Sequence, residues 1–198
     1  MIYFPGISDD EFIRGGIPMT KQEVRILVLA KAKIAATDII VDIGAGTGSL
    51  SIEAALQASQ GRVYAIERHA EGIELICANV AKFNVSNLKA ISGSAPLALE
   101  GLPAVDVIFI GGSGGHLSEI LHESDKLLKV QGRLVITAIT IETLYEALHI
   151  MQAKSNYDVE AFGAQISRIR QLKTSNMLQA LNPIYIIACT KKNVNQKY

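Results

Sequence analysis

The chain has 198 residues, 49% of them hydrophobic, with 19 Lys plus Arg against 19 Asp plus Glu. This size and apolar content suit one compact domain with a sizeable core and exclude a disordered chain. A formal net charge of zero argues against a general nucleic-acid binder, which needs a basic field, but leaves room for a local cationic cluster around an anionic small molecule.

Residues 1–19 read as irregular, punctuated by Pro5, Gly6, Gly15, Gly16 and Pro18. Thr20, Lys21, Gln22 and Glu23 form a capping-box pattern, and Val24, Leu27 and Val28 follow at helical spacing, predicting a helix over 20–33. Ile39 to Ile43 is an apolar strand, and a helix is expected over 48–60. A second strand spans 62–66 and ends at Glu67. A helix over 70–83 points Ile73, Ile76, Cys77 and Val80 inward. Strands at 88–91 and 105–110 come next, then a helix over 116–128, a strand over 132–138 and a helix over 141–153. Beyond residue 154 the alternation stops, and 157–169 and 184–190 read as two long strands forming an antiparallel terminal pair. Continuous apolar strands alternating with helices imply an α/β fold: a mostly parallel seven-stranded sheet with helices on both faces. No linker or repeat interrupts 1–198, so one domain is expected. Cys77 and Cys189 sit in apolar surroundings, far apart, and read as small buried hydrophobes in a reducing, cytoplasmic protein. No apolar run reaches membrane-spanning length, and the first ten residues lack the basic region of a secretory signal.

The stretch from Val41 onward carries chemistry. Asp42 precedes Gly44, Ala45, Gly46, Thr47 and Gly48 in the pattern D-x-G-x-G-x-G, between a strand and a helix. Glycines there let backbone N–H groups approach a ligand. Ser49 breaks the G-x-G-x-x-G dinucleotide fingerprint, so NAD is disfavoured. The pattern resembles the first motif of class I methyltransferases that use S-adenosylmethionine. Glu67, about 20 residues on at the end of the second strand, is placed to accept hydrogen bonds from both ribose hydroxyls of an adenosyl cofactor. Asp42 could hold the cofactor's amino-acid end, directly or through water, or bond its own turn. Ser94 and Ala95 follow the third strand, where such enzymes often read adenine with an acid. Among these enzymes, amino-group methylases carry an Asn-Pro-Pro-Tyr type motif after the fourth strand. Asn182-Pro183-Ile184-Tyr185 resembles it but opens the last strand, and reads as structural. The histidines, His69, His116, His122 and His149, lack metal-ligand spacing; His122 and His149 read as helix-surface residues.

Longer blocks narrow the resemblance. Pro5 to Phe12, then Ile17-Pro18-Met19-Thr20-Lys21 with Glu23 and Arg25, resemble the N-terminal signature of the cobalt-precorrin carbon-15 methyltransferase (decarboxylating) family of cobalamin biosynthesis. Phe109-Ile110-Gly111-Gly112-Ser113-Gly114-Gly115 resembles a later block of that family, as does Gly132 to Ala138 with Thr140, Glu142, Thr143 and Leu144. Family members often carry Asp where this chain has Ser94. The resemblance implies a Rossmann-like methyltransferase fold, S-adenosylmethionine as cofactor with Thr20 touching it, and a homotetramer. It also implies an anionic cobalt-precorrin substrate, methylated at carbon-15 and decarboxylated at the ring C acetate.

With that substrate, Gly111, Gly112, Gly114 and Gly115 would give a flat loop for a macrocycle. Arg14, Lys21, Arg25 and Arg168, with Arg170 nearby, are candidate partners for its carboxylates. Ser113, His116, Thr137 and Thr140 are candidate polar groups at the reacting centre, although Thr140 is equally placed to cap a helix. Residues 1–33 would cover the site. Rival readings are a methyltransferase acting on protein or tRNA, which the neutral charge disfavours, and a corrinoid-pathway binding protein without turnover.

Overall fold

The structure is a computed structural model, and it describes residues 5–193. Four short strands build one half of a seven-stranded sheet, with β3 at its edge: β1 (Ile39–Ile43), β2 (Arg62–Glu67), β3 (Leu88–Ser92) and β4 (Val105–Ile110). β5 (Leu128–Ala138) is longer than the expected 132–138, because helix α4 (Leu117–Leu127) stops at Leu127 and the chain extends at once. β6 (Tyr157–Ala164) and β9 (Ile184–Lys191) complete the sheet in the order β3-β2-β1-β4-β5-β9-β6. β3 to β5 pair in parallel through β2, β1 and β4, whereas β9 runs antiparallel to both β5 and β6.

Side chains alternate across the strands. Ile40, Val107, Phe109 and Val135 face one side, with Val28 and Leu29 of α1 (Gln22–Ala32) and Ile52 and Ala55 of α2 (Ser49–Gln57). Val80 and Phe83, from the end of α3 (Ala70–Lys82), join that layer. Val41, Ile43, Ile108, Ile110 and Ile136 face the other side, against Ile120 and Leu121 of α4 and Ala147 and Met151 of α5 (Ile141–Gln152). Covering both faces lets parallel strands be apolar throughout.

Three expectations change. The strand expected over 157–169 is two strands: β6 ends at Ala164, and β7 (Ser167–Gln171) turns away to pair with β8 (Asn176–Ala180) as a separate hairpin. Almost every residue of that hairpin is exposed, so no buried alternation marks it in the sequence. Cys77 is exposed while Cys189 is buried. The inward stripe of α3 is Gly72, Leu75, Ile76 and Asn79, and one further step of the helix turns Cys77 to solvent. The capping box at Thr20 does not form. Lys21 is the N-cap of α1 with no side-chain bond, and Asp9 Oδ1 instead accepts from Gln22 N at 2.9 Å.

Candidate active site

Register brings the site together. In the parallel pairs Ile43 stands opposite Ile66 and Ile110, Glu67 opposite Ser92, and Ile110 opposite Ile136. The residues that follow each strand therefore emerge along one sheet edge, where open α/β sheets bind ligands. A cavity of about 750 Å³ lies over that edge, a size suited to a small-molecule site.

The glycine turn forms its floor. Gly44 N and Ala45 N both donate to Ile66 O at 3.0 Å, tying the turn to β2. Gly44 has φ +73, and a Cβ there would lie 2.8 Å from the backbone N and O of Gly112. Only glycine satisfies both the left-handed backbone and that approach. The turn after β1 and the 111–115 loop after β4 are thus in backbone contact. From above, Pro18 O comes within 2.9 Å of where a Cβ of Gly46 would be, so the N-terminal segment closes over the turn. Ile17, Pro18, Met19, Thr20 and Lys21 all line the cavity.

Glu67 is 6% exposed. Its Oε2 accepts from Gly46 N at 2.9 Å, and its Oε1 accepts from Arg68 N at 2.8 Å and His69 N at 2.9 Å. These three bonds fix the carboxylate at the cavity wall and leave one of its roughly four lone-pair sites for a ligand. Asp42 does not line the main cavity. It is buried, accepts from Ser51 Oγ, and borders a small adjoining cavity of about 10 Å³ with Thr20, Gly44, Ala45, Gly111 and Thr137. That space suits about one water molecule. Burial raises the Asp42 carboxyl to about 6; the Ser51 bond opposes the rise and the Glu67 charge adds to it.

Most of the anticipated residues meet here. Thr20, Lys21, Gly44, Ala45, Gly46, Glu67, Ser94, Ala95, Gly111, Gly112, Ser113, Gly114, His116 and Thr137 all line the cavity. Thr47 and Gly48 lie behind the turn: Gly48 is the left-handed N-cap of α2, and Thr47 Oγ1 is buried without a hydrogen-bond partner. Gly115 lies outside the lining. Thr140 caps α5, accepting from Thr143 N at 3.2 Å, and also stands apart from the cavity.

The arginine expectations need correction. Arg25 is wholly buried, donating through Nε to Glu53 Oε1 at 2.7 Å and through Nη1 to Asp9 Oδ1 at 2.8 Å and to the Thr20 carbonyl. It is a strut that anchors the N-terminal segment to α1 and α2, out of a substrate's reach. Arg168 on β7 bonds Glu23 Oε2 at 2.7 Å and Asp9 Oδ2 at 3.1 Å, and Arg14 pairs with Asp10 at 2.9 Å; neither lines the cavity. Burial would lift Asp9, but the bonds from Arg25 and Arg168 prevail and hold it below the usual range. Arg170 lies on the exposed hairpin.

Other lining residues were not anticipated: Met19, Arg68, His69, Ile139 and Asn182. Asn182 has a topological reason. β9 runs antiparallel to β5, with Tyr185 opposite Ala138, so the start of β9 falls at the sheet edge where its parallel neighbours end. The tetrapeptide set aside as structural thus delivers an amide to the cavity. His122 and His149 are exposed on α4 and α5.

Residues 10–191 match the model of the precorrin methyltransferase domain. A protein of Sulfurisphaera tokodaii named probable cobalt-precorrin-6B C(15)-methyltransferase (decarboxylating) is 42% identical over 186 residues, spanning 92% of this chain and 96% of its own. The crystal structure of precorrin-6y C5,15-methyltransferase from Geobacter metallireducens superposes with a TM-score of 0.89 at 38% identity, covering 94% of this chain and 98% of that one. That of precorrin 8W decarboxylase from Methanobacterium thermoautotrophicum gives a TM-score of 0.86 at 37% identity, covering 92% and 98%. The chain belongs to the cobalt-precorrin C(15)-methyltransferase (decarboxylating) family.

Proposed function

We propose that this chain methylates carbon-15 of a cobalt-precorrin at the precorrin-6 stage and decarboxylates the ring C acetate. The observation that carries this reading is the contact of two glycine stretches, the turn at Gly44 and the loop at Gly112, on the floor of a 750 Å³ cavity. The turn suits an adenosyl cofactor and the loop suits a flat ring. S-adenosylmethionine fits the residues present: a Cβ-free cradle at Gly44, and Glu67 with one acceptor site left at the cavity wall. When bound, it supplies the electrophilic methyl group.

The chain's own residues then position and hold. Glu67 takes a ribose hydroxyl while its bond to Gly46 N keeps the turn in place. Asp42, through the small cavity beside Thr20 and Thr137, carries negative charge toward the cofactor's amino-acid end. Ser94 and Ala95, on the cavity lining, would border the adenine. Met19, Thr20 and Lys21 close the site from above, excluding water and holding the reactants in line, an arrangement that supplies much of the barrier reduction in methyl transfer. An electron-rich meso carbon attacks without a strong protein base, which agrees with a lining that holds no carboxylate besides Glu67 among the described residues. Lys21 and residues 111–115 bind the macrocycle, and Ser113, His116 and Thr137 offer polar hydrogens near the reacting centre. Full turnover would be that of one domain in a cytoplasmic homotetramer, checked by light scattering of the purified protein.

The test is mass spectrometry of the product formed from cobalt-precorrin-6B and S-adenosylmethionine. One methyl gained with loss of carbon dioxide is expected. A methyl gain alone would remove the decarboxylase half of the reading.

A further inference from the structure

The arginines around the site divide by their partners. Arg25 and Arg168 are committed to Asp9, Glu53 and Glu23, and Arg14 to Asp10. Arg68 differs from all three. It follows Glu67 at the carboxyl end of β2, is exposed, and lines the cavity. Glu67 is not its ion-pair partner: that carboxylate accepts from the N–H groups of Gly46, Arg68 and His69. Among the described residues, Arg68 makes no ion pair. Its side-chain bond runs from Nε to His69 Nε2 at 3.1 Å, which leaves the two Nη groups as donors.

The seat of this guanidinium is the 111–115 loop. A Cβ on Gly114 would stand 2.6 Å from Arg68 Nη1. Gly114 has φ +59 and Gly115 has φ +91, so the loop follows a path that other residues resist, and the absent side chain leaves the space that Arg68 occupies. An unpaired planar cation therefore lies along the edge of a flat, side-chain-poor platform. That geometry suits a carboxylate arm projecting from a flat ring, because the guanidinium end presents paired N–H donors matched to two carboxylate oxygens. Lys21, also on the lining, adds a point charge but no planar fork.

We propose that Arg68 is a substrate-binding residue, its Nη groups receiving one peripheral carboxylate of the tetrapyrrole and fixing the ring against residues 111–115. The assignment rests on the polycarboxylate tetrapyrrole reading above. It is distinct from the cofactor contacts, which fall on Glu67 and the glycine turn.

The experiment uses uroporphyrin, a tetrapyrrole polycarboxylate, titrated into the full chain and followed by its own fluorescence, with S-adenosylhomocysteine titrated in parallel by calorimetry. Arg68→Gln is expected to weaken uroporphyrin binding about 10- to 100-fold, with S-adenosylhomocysteine affinity kept within about twofold. Arg68→Lys should recover part of the loss, since charge returns without the fork. Unchanged uroporphyrin affinity in Arg68→Gln overturns the assignment. An equal loss for both ligands also overturns it, placing Arg68 on the cofactor instead. If the wild-type chain binds no uroporphyrin while binding S-adenosylhomocysteine, the tetrapyrrole reading falls and takes the assignment with it; wild-type binding with an unaffected variant removes Arg68 alone.

Discussion

The substitution Asp42→Asn exchanges a buried ionisable group for a neutral one of the same shape. Asp42 is 2% exposed and its carboxyl is raised by burial from 3.8 to about 6. A folded-state value above the unfolded one means that the fold favours the protonated acid. Asp42's stabilising contribution is thus complete below about pH 4 and is lost as pH rises toward about 6 and beyond. Ionisation therefore costs the folded state roughly 3 kcal/mol at neutral pH. Asn cannot ionise and can still accept from Ser51 Oγ. Urea unfolding of both proteins at about pH 4 and about pH 8 isolates the term, because the other titrating groups cancel in the difference. Asp42→Asn is expected to gain about 2 to 3 kcal/mol on wild type between those two conditions. Calorimetry should show the same variant binding S-adenosylmethionine more weakly, because the charge disfavoured by the fold is the one assigned to the ligand. A stability difference that is flat with pH, or that moves the other way, would refute the argument.

Other substitutions probe the remaining supports. Glu67→Ala removes the acceptor that holds Gly46 N and the proposed ribose contact, and calorimetry should show S-adenosylhomocysteine affinity falling about 10- to 100-fold; unchanged affinity would dismiss the ribose role. Arg25→Met removes the buried cation that Asp9 and Glu53 share, and should cost about 3 to 5 kcal/mol in chemical denaturation. A loss under about 1 kcal/mol would mean that the strut does not hold the N-terminal segment. Gly44→Ala meets the backbone of Gly112 at 2.8 Å and forces a left-handed alanine. It should cost about 1 to 2 kcal/mol from the backbone conformation alone and abolish measurable cofactor binding, which calorimetry checks.

The parts of this protein legible in the sequence are those with a strong period or a fixed backbone demand. β1 and β4 are continuous apolar runs, and the glycines at 44, 46 and 48 mark a turn that few other residues follow. Their meeting with the 111–115 loop is a matter of parallel register, which the α/β alternation implies. The hairpin β7–β8 was hidden because nearly all its residues face solvent and carry no alternation. Arg25 was misread for a different reason. A buried arginine and a solvent-facing one look alike in one dimension, and Asp9 and Glu53, its partners, lie 16 and 28 residues away. Asn182 and Arg68 are not legible because each depends on a distant part of the chain: the reversal of β9 in one case, and the empty side-chain position at Gly114 of the 111–115 loop in the other. Position also separates the two acids of the site. Asp42 and Glu67 are both buried near the ends of their strands, yet only Glu67 lines the main cavity.

The most direct measurement is turnover of cobalt-precorrin-6B with S-adenosylmethionine carrying a carbon-13 methyl group, read by NMR of the product. The expected spectrum places the labelled methyl on carbon-15. It also shows an unlabelled new methyl on ring C, left where the acetate has lost carbon dioxide. Label at another position, or an intact ring C acetate beside a labelled carbon-15, would contradict the account.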